Sequence, residues 1–85
     1  MYSVYVLFLE QNRLYVGATK WWRLKKRWEE HCAGTGSKWT AKYPPLAKLC
    51  TYQFRTREAS EKFEHELVQT LMHEYGLDSV RGGGL

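Results

Sequence analysis

The chain has 85 residues, thirteen Lys and Arg against nine Asp and Glu, and a pI of about 9.2. That length makes one domain with no room for a second, and the basic balance suits a polyanionic partner. Cys32 and Cys50 lie far apart and, with three scattered histidines, give no zinc spacing, so they read as reduced core thiols of an intracellular protein. The apolar run at residues 4–9 is too short to span a bilayer and lacks a basic flank. A soluble, cytoplasmic protein with no membrane partner is the expectation.

Residues 2–9 are aromatic and β-branched and predict a strand. A polar turn at 10–13 leads back into extended chain at 14–17, which makes a β-hairpin. Alternation places Tyr5 on one face with Ser3 and Leu7, and Tyr15 on a face with Gly17. Residues 22–32 predict a helix whose buried stripe is Leu24, Trp28 and Cys32. Gly34 to Ser37 ends it as a loop, and Pro44-Pro45 breaks whatever residues 39–43 begin. Residues 46–54 suit a third strand. Thr56 can cap a second helix over 57–75 that stops at Gly76, with Ala59, Phe63, Leu67, Leu71 and Tyr75 as its core row. The β-β-α-β-α order predicts an α+β fold, a three-stranded, mainly antiparallel sheet flanked by helices.

Two charge patterns exceed what folding needs. Arg23, Arg27 and His31 stand four apart on the first helix with no matching acidic row, either a solvated face or a phosphate-binding edge. On the second helix Glu64 is the only charge in the row Ser60, Glu64, Val68 and Met72. A carboxylate at the edge of an apolar face loses hydration unless something compensates it. Either a salt bridge, for instance to Arg27, or a divalent cation would do so, since Mg²⁺ takes hard oxygen ligands and often only one or two carboxylates.

Val4-Tyr5-Val6, Tyr15-Val16-Gly17, Arg27 with His31 one turn on, and Glu64 on a later helix resemble, in that order, the GIY-YIG nuclease superfamily. The stretch 34–45 is similar to the family's glycine, threonine and lysine segment. Residues 75–83, with Val80-Arg81-Gly82-Gly83, look like the C-terminal signature of one branch with small members. The first triplet departs from the family in lacking its glycine. The resemblance implies hydrolysis of a DNA phosphodiester with one Mg²⁺ or Mn²⁺ ion. Glu64 would hold the metal, Arg27 would stabilise charge on the phosphate, and Tyr5, Tyr15 and His31 would position and deprotonate the attacking water. Which tyrosine is the base stays open at this point.

Family enzymes commonly attach a separate recognition domain, and this chain offers no spare element to enter a groove. Low sequence specificity or selectivity for DNA shape is therefore expected, with a homodimer or a separate DNA-targeting partner as routes to delivery. Lys20, Arg23, Lys38, Lys42 and Arg81 are candidate backbone contacts, and Trp39 is a candidate for stacking on an unpaired base. The rival readings are a non-catalytic nucleic-acid-binding module of the same fold and a small basic protein-interaction domain.

Overall fold

The computed structural model describes residues 1–82. Strand β1 (Tyr2–Leu9) and strand β2 (Arg13–Lys20) form an antiparallel hairpin in which Tyr5 faces Gly17 and Leu9 faces Arg13. The single turn of 3-10 helix between them, Glu10–Asn12, holds Gln11 and Asn12 at positive φ. The Arg13 guanidinium steadies it by donating to the Gln11 carbonyl at 2.9 Å. Another 3-10 turn, Trp21–Arg23, leads into helix α1 (Leu24–Cys32). Helix α2 (Lys38–Lys42) starts at a Ser37 cap, whose hydroxyl accepts from the Thr40 amide at 3.0 Å. Strand β3 (Pro45–Phe54) pairs antiparallel with β1, and helix α3 (Arg57–Tyr75) follows. The Thr56 hydroxyl caps α3 as the sequence predicts, accepting from the Ala59 amide at 3.1 Å, and Gly76 ends it at φ 102°.

The fold is α+β as expected, but the sheet has four strands, not three, in the order β3-β1-β2-β4. The added strand β4 (Val80–Gly82) pairs parallel with β2 at Leu14, Tyr15 and Val16, so the sheet is mixed. Three residues carry too little pattern to be recognised as a strand; β4 exists because Val80 is fully buried and Gly82 lets α3 approach. A Cβ at Gly82 would meet Val68 Cγ2 at 2.5 Å. Two residues of the C-terminal glycine run, Gly83 and Gly84, lie outside the described residues, as does the end of the branch-like motif.

Both faces of the sheet are covered, which is why β1 is apolar almost throughout. Val4, Val6, Leu14, Val16 and Val80 meet Val68 of α3 on one face. Tyr5, Leu7, Leu9 and Tyr15 meet Tyr43, Leu24, Trp28 and Trp39 on the other. Burying an aliphatic side chain of this size contributes about 1.5–3 kcal/mol, so these two small clusters are the fold's main support.

Helical geometry corrects two core assignments. A four-residue spacing drifts by about 40° per step, so Cys32 sits about 80° round from Leu24 while His31 returns to within about 20°. Accordingly Cys32 is exposed and His31 is fully buried. Along α3 the same drift carries Tyr75 about 160° from Ala59, and no single row can face the sheet. Ala59 and Tyr75 are exposed, while Ser60, Glu64 and Val68 are the buried residues of the helix. Phe63, Leu67 and Leu71 are half-buried, Phe63 packing on Tyr52 and Phe54 of β3 with centroids 4.8 and 5.0 Å away.

Candidate active site

β4 covers the outer edge of β2 only as far as Val16. Beyond it, a cavity of about 770 Å³ opens over that edge, walled by α1 and the α2 region on one side and by α3 on the other. Tyr5, Tyr15, Arg27, Lys38, Trp39, Glu64 and Arg81 all line it. Of the residues the sequence singled out, the cleft therefore collects four of five expected catalytic groups and three of six expected DNA contacts. His31 stands directly behind Tyr5. Lys20, Arg23 and Lys42 lie elsewhere: Lys20 over the Trp22 ring at 5.2 Å, Lys42 over Tyr43 at 5.4 Å, and Arg23 exposed at the start of α1.

Gly17 gives Tyr5 its place. The two residues are cross-strand partners, and a Cβ on Gly17 would occupy the position of the Tyr5 phenol carbon and hydroxyl. Without one, the Tyr5 ring lies over its neighbour strand and reaches the cleft. Gly36 does the same for His31, because a Cβ there would overlap imidazole Nδ1.

The histidine is bonded at both nitrogens. Tyr5 Oη lies 2.9 Å from His31 Nε2, and Arg27 Nη2 lies 3.5 Å from the same nitrogen. A guanidinium can only donate, so Nε2 carries its lone pair and the proton sits on Nδ1. Nδ1 then donates to Thr40 Oγ1 at 2.8 Å, and the Thr40 hydroxyl is hydrogen-bonded to Ser37 Oγ, 2.9 Å away. Tyr5, His31, Thr40 and Ser37 thus form one continuous chain of hydrogen bonds that starts at Tyr5 in the cleft. Burial, aided by Arg27, depresses His31 to about 4, so the imidazole is neutral near pH 7. Burial also raises Tyr5 well above the ordinary phenol value and lifts Tyr15, while Arg27 pulls both the other way.

Arg27 is held as a fork. Nη1 donates to Glu30 at 2.8 Å, and Nη2 donates to the Gly36 carbonyl at 3.3 Å. Of the two alternatives for Glu64, the salt bridge to Arg27 is not made; the acid paired with Arg27 is Glu30.

Glu64 is 6% exposed and, among the described residues, neither accepts a hydrogen bond nor joins an ion pair. Burial raises its pKa, and neighbouring Glu61 adds to the effect. A buried carboxylate facing a cavity with no protein partner fits a hard divalent cation, which completes its shell with water and substrate oxygens. Among the described residues no three His, Cys, Asp or Glu side chains gather in one place, so any such ion would take most of its shell from water and substrate rather than from the protein.

Sequence reasoning missed further lining residues, Arg57, Glu61 and His65, all from one row of α3 that read as plain polar surface. Their signal was adjacency to the Glu64 row. Arg57 is tied to Glu61 at 2.7 Å. Trp39 is partly committed: its indole N–H donates to the Leu14 carbonyl at 2.9 Å, and the Arg81 guanidinium lies 4.8 Å over its ring. Of the cations lining the cleft, Arg27 is paired with Glu30 and Arg57 with Glu61, which leaves Lys38 and Arg81 against Glu64, an excess of positive charge that draws in an anion.

A basic cleft that sets two tyrosines, an arginine–histidine pair and one bare carboxylate around a sheet edge is the architecture of a nuclease-type catalytic domain. Residues 1–75 match the model of the GIY-YIG catalytic domain, and the chain belongs to that family. It is 36% identical over 64 residues to a UPF0213 protein of Natronomonas pharaonis, a match covering 75% of this chain and 73% of that one. It is 29% identical over 68 residues to a UPF0213 protein of Xanthomonas campestris pv. campestris, covering 80% of this chain and 65% of the relative. No solved structure matches the chain significantly. No helix among the described residues is long and apolar enough to cross a membrane.

Proposed function

We propose that this protein is a divalent-metal-dependent endonuclease that hydrolyses DNA phosphodiester bonds with low sequence specificity or with selectivity for DNA shape. The observation that carries this reading is Glu64, a buried carboxylate without a protein partner, in a cleft that also holds Arg27 and the Tyr5–His31 pair. Glu64 would hold one Mg²⁺ or Mn²⁺ ion, whose chemistry when bound is to offset negative charge on the phosphate and on the leaving oxygen.

The remaining steps belong to the chain's own residues. Arg27, already fixed in its fork, donates to a non-bridging oxygen and stabilises the charge that grows as water attacks phosphorus. Tyr5 is the proton acceptor in this reading rather than Tyr15, because it alone is hydrogen-bonded to His31. Water gives its proton to Tyr5 Oη as the phenolic proton moves to His31 Nε2. The new P–O bond forms while the bond to the 3′ oxygen breaks, and the departing 3′ oxygen takes a proton from solvent water in the open cleft, leaving a 5′ phosphate and a 3′ hydroxyl. His31 rests neutral and so has its lone pair free, and the negative phosphodiester in the cleft favours its protonated form. Tyr15, whose ring centroid is 4.7 Å from His31, walls the water in. Lys38 and Arg81 at the mouth take flanking phosphates. A homodimer or a separate targeting partner supplies whatever address the DNA cut requires.

The direct test is cleavage of supercoiled plasmid, and of labelled duplex, branched and single-stranded DNA, with Mg²⁺, Mn²⁺ or EDTA. Metal-dependent nicking that Glu64→Ala abolishes is the expected result. Salt-sensitive binding with no cutting of any substrate would make the domain a binding module.

A further inference from the structure

Trp21 and Trp22 are 54% and 59% exposed, where indoles of a small domain are ordinarily drawn inward. Their rings stand edge to face with centroids 6.2 Å apart at 88°. Beside them a second groove of about 600 Å³ opens between α1 and β3, with Leu24 and Trp28 in its lining and Lys25 and Lys48 at its sides. Lys20 reaches over the Trp22 ring. No acidic residue lines this groove among the described residues.

We propose that the groove is a second nucleic-acid subsite, which binds unpaired nucleotides of the same DNA whose phosphodiester enters the cleft. The identity of that DNA rests on the nuclease reading; the binding itself does not. Bases stack on exposed indole faces irrespective of sequence, and lysines beside them take the intervening phosphates. The groove lies on the β3 side of α1, whereas the cleft lies on its β2–β4 side. A strand leaving the cleft would pass from Arg27 on α1 to Arg23 in the preceding 3-10 turn, and then meet Trp21 and Trp22. Junctions between duplex and single strand are the substrates this layout suits.

A second copy of the chain is a poor occupant. A two-fold contact would bring together the same patch from both copies, and with it two sets of Lys20, Lys25 and Lys48 with no acidic lining residue among the described residues to offset them. Extension of the sheet is disfavoured too, because β3 is bulged at Leu46 and Leu49, where its register with β1 shifts.

The test is fluorescence anisotropy of labelled oligothymidylate and of a blunt duplex, both in EDTA so that nothing is cut. The Trp21→Ala/Trp22→Ala variant is expected to bind oligothymidylate about tenfold or more weakly, with duplex binding changed less than about twofold. Lys25→Gln and Lys48→Gln are each expected to lower the slope of log affinity against log salt by about 0.7. Because all four side chains are surface groups, the melting temperature should hold and report that the variants are folded. Unchanged oligothymidylate affinity in the double Trp variant overturns the proposal. So does a dimer in sedimentation that this variant dissociates, or binding to anionic phospholipid vesicles with none to oligothymidylate. A chain that cuts nothing yet binds oligothymidylate through Trp21 and Trp22 overturns the nuclease reading and upholds the subsite.

Discussion

The two walls of the cleft differ in how completely their polar groups are satisfied. On the α1 and α2 side, His31 is fully buried and bonded at both nitrogens, Thr40 is fully buried and bonded to His31 and Ser37, and Arg27 holds three partners. On the α3 side, Glu64 is almost as buried and has none among the described residues. Stability favours the first arrangement and penalises the second, since a carboxylate that loses part of its hydration without gaining a protein partner opposes folding. The first wall is built in advance by the protein; the second is completed by something from outside it.

The largest effect should come from removing that asymmetry. Glu64→Gln keeps the shape and deletes the charge, so cleavage should fall at least about a thousandfold if the carboxylate holds the catalytic ion. The metal-free variant should nevertheless melt higher than the wild type at pH 7. The sign follows from the raised pKa of Glu64: its contribution is fully favourable only below the unfolded carboxyl value of about 4.3, and is lost as the pH rises through the folded value. A fall in both activity and melting temperature would mean that the carboxylate has a structural partner after all.

Arg27 is the next place to strike, because it belongs to the built wall and also lines the cleft. Arg27→Lys keeps the charge but cannot reproduce contacts to Glu30, the Gly36 carbonyl and His31 together. Turnover should drop on the order of a hundredfold with a much smaller change in DNA affinity, read by single-turnover cleavage beside anisotropy. Gly17→Ala probes the same wall through space alone. Its methyl would claim the position of the Tyr5 hydroxyl, so the ring must move; about 1–3 kcal/mol of stability and most of the activity should go with it. Thermal unfolding that matches the wild type would show that Tyr5 does not depend on that gap.

How much of this was legible in the residues varies with the physical signal. Helix α3 was readable to its exact ends, because Thr56 and Gly76 mark both termini and nineteen residues repeat one period. The hairpin was readable in place, though β2 runs on to Lys20 past the four residues expected, since Ala18 and Thr19 pair by backbone with little side-chain pattern. Strand β4 was not legible; three residues joined in parallel to a distant strand depend on tertiary contact rather than on local sequence. Within the site, the Tyr5, Tyr15, Arg27, His31 and Glu64 register came from order along the chain, and the fold brings those five together. Thr40 and Ser37 were not singled out, because a hydroxyl in or capping a one-turn helix too short to show a pattern looks like any other until its partner is known. Trp39, named as a stacking candidate, does line the cleft, with its indole N–H and one ring face engaged by the Leu14 carbonyl and Arg81.

The smallest expected effect is also the one that most sharply separates the two walls. If His31 is a prebuilt, neutral acceptor, protons destabilise it before they inhibit anything else. Its folded pKa of about 4 lies below the unfolded value of about 6.5, so the unfolded chain binds the proton more readily between those limits. Stability should therefore rise with pH across that window. His31→Phe fills the space and cannot titrate, but it leaves Tyr5 Oη and Thr40 Oγ1 without their shared partner, at a cost of about 1–3 kcal/mol at pH 7. Melting curves taken from pH 4.5 to 7 should then run flatter for the variant than for the wild type, the two converging as the pH falls. Thr40→Val should leave the pH window in place while weakening the tautomer it enforces, so its activity loss, about tenfold, would grow from misplacement of the Tyr5 proton rather than from charge. Parallel curves for wild type and His31→Phe would locate the titration elsewhere and remove the reason for regarding this wall as complete without a ligand.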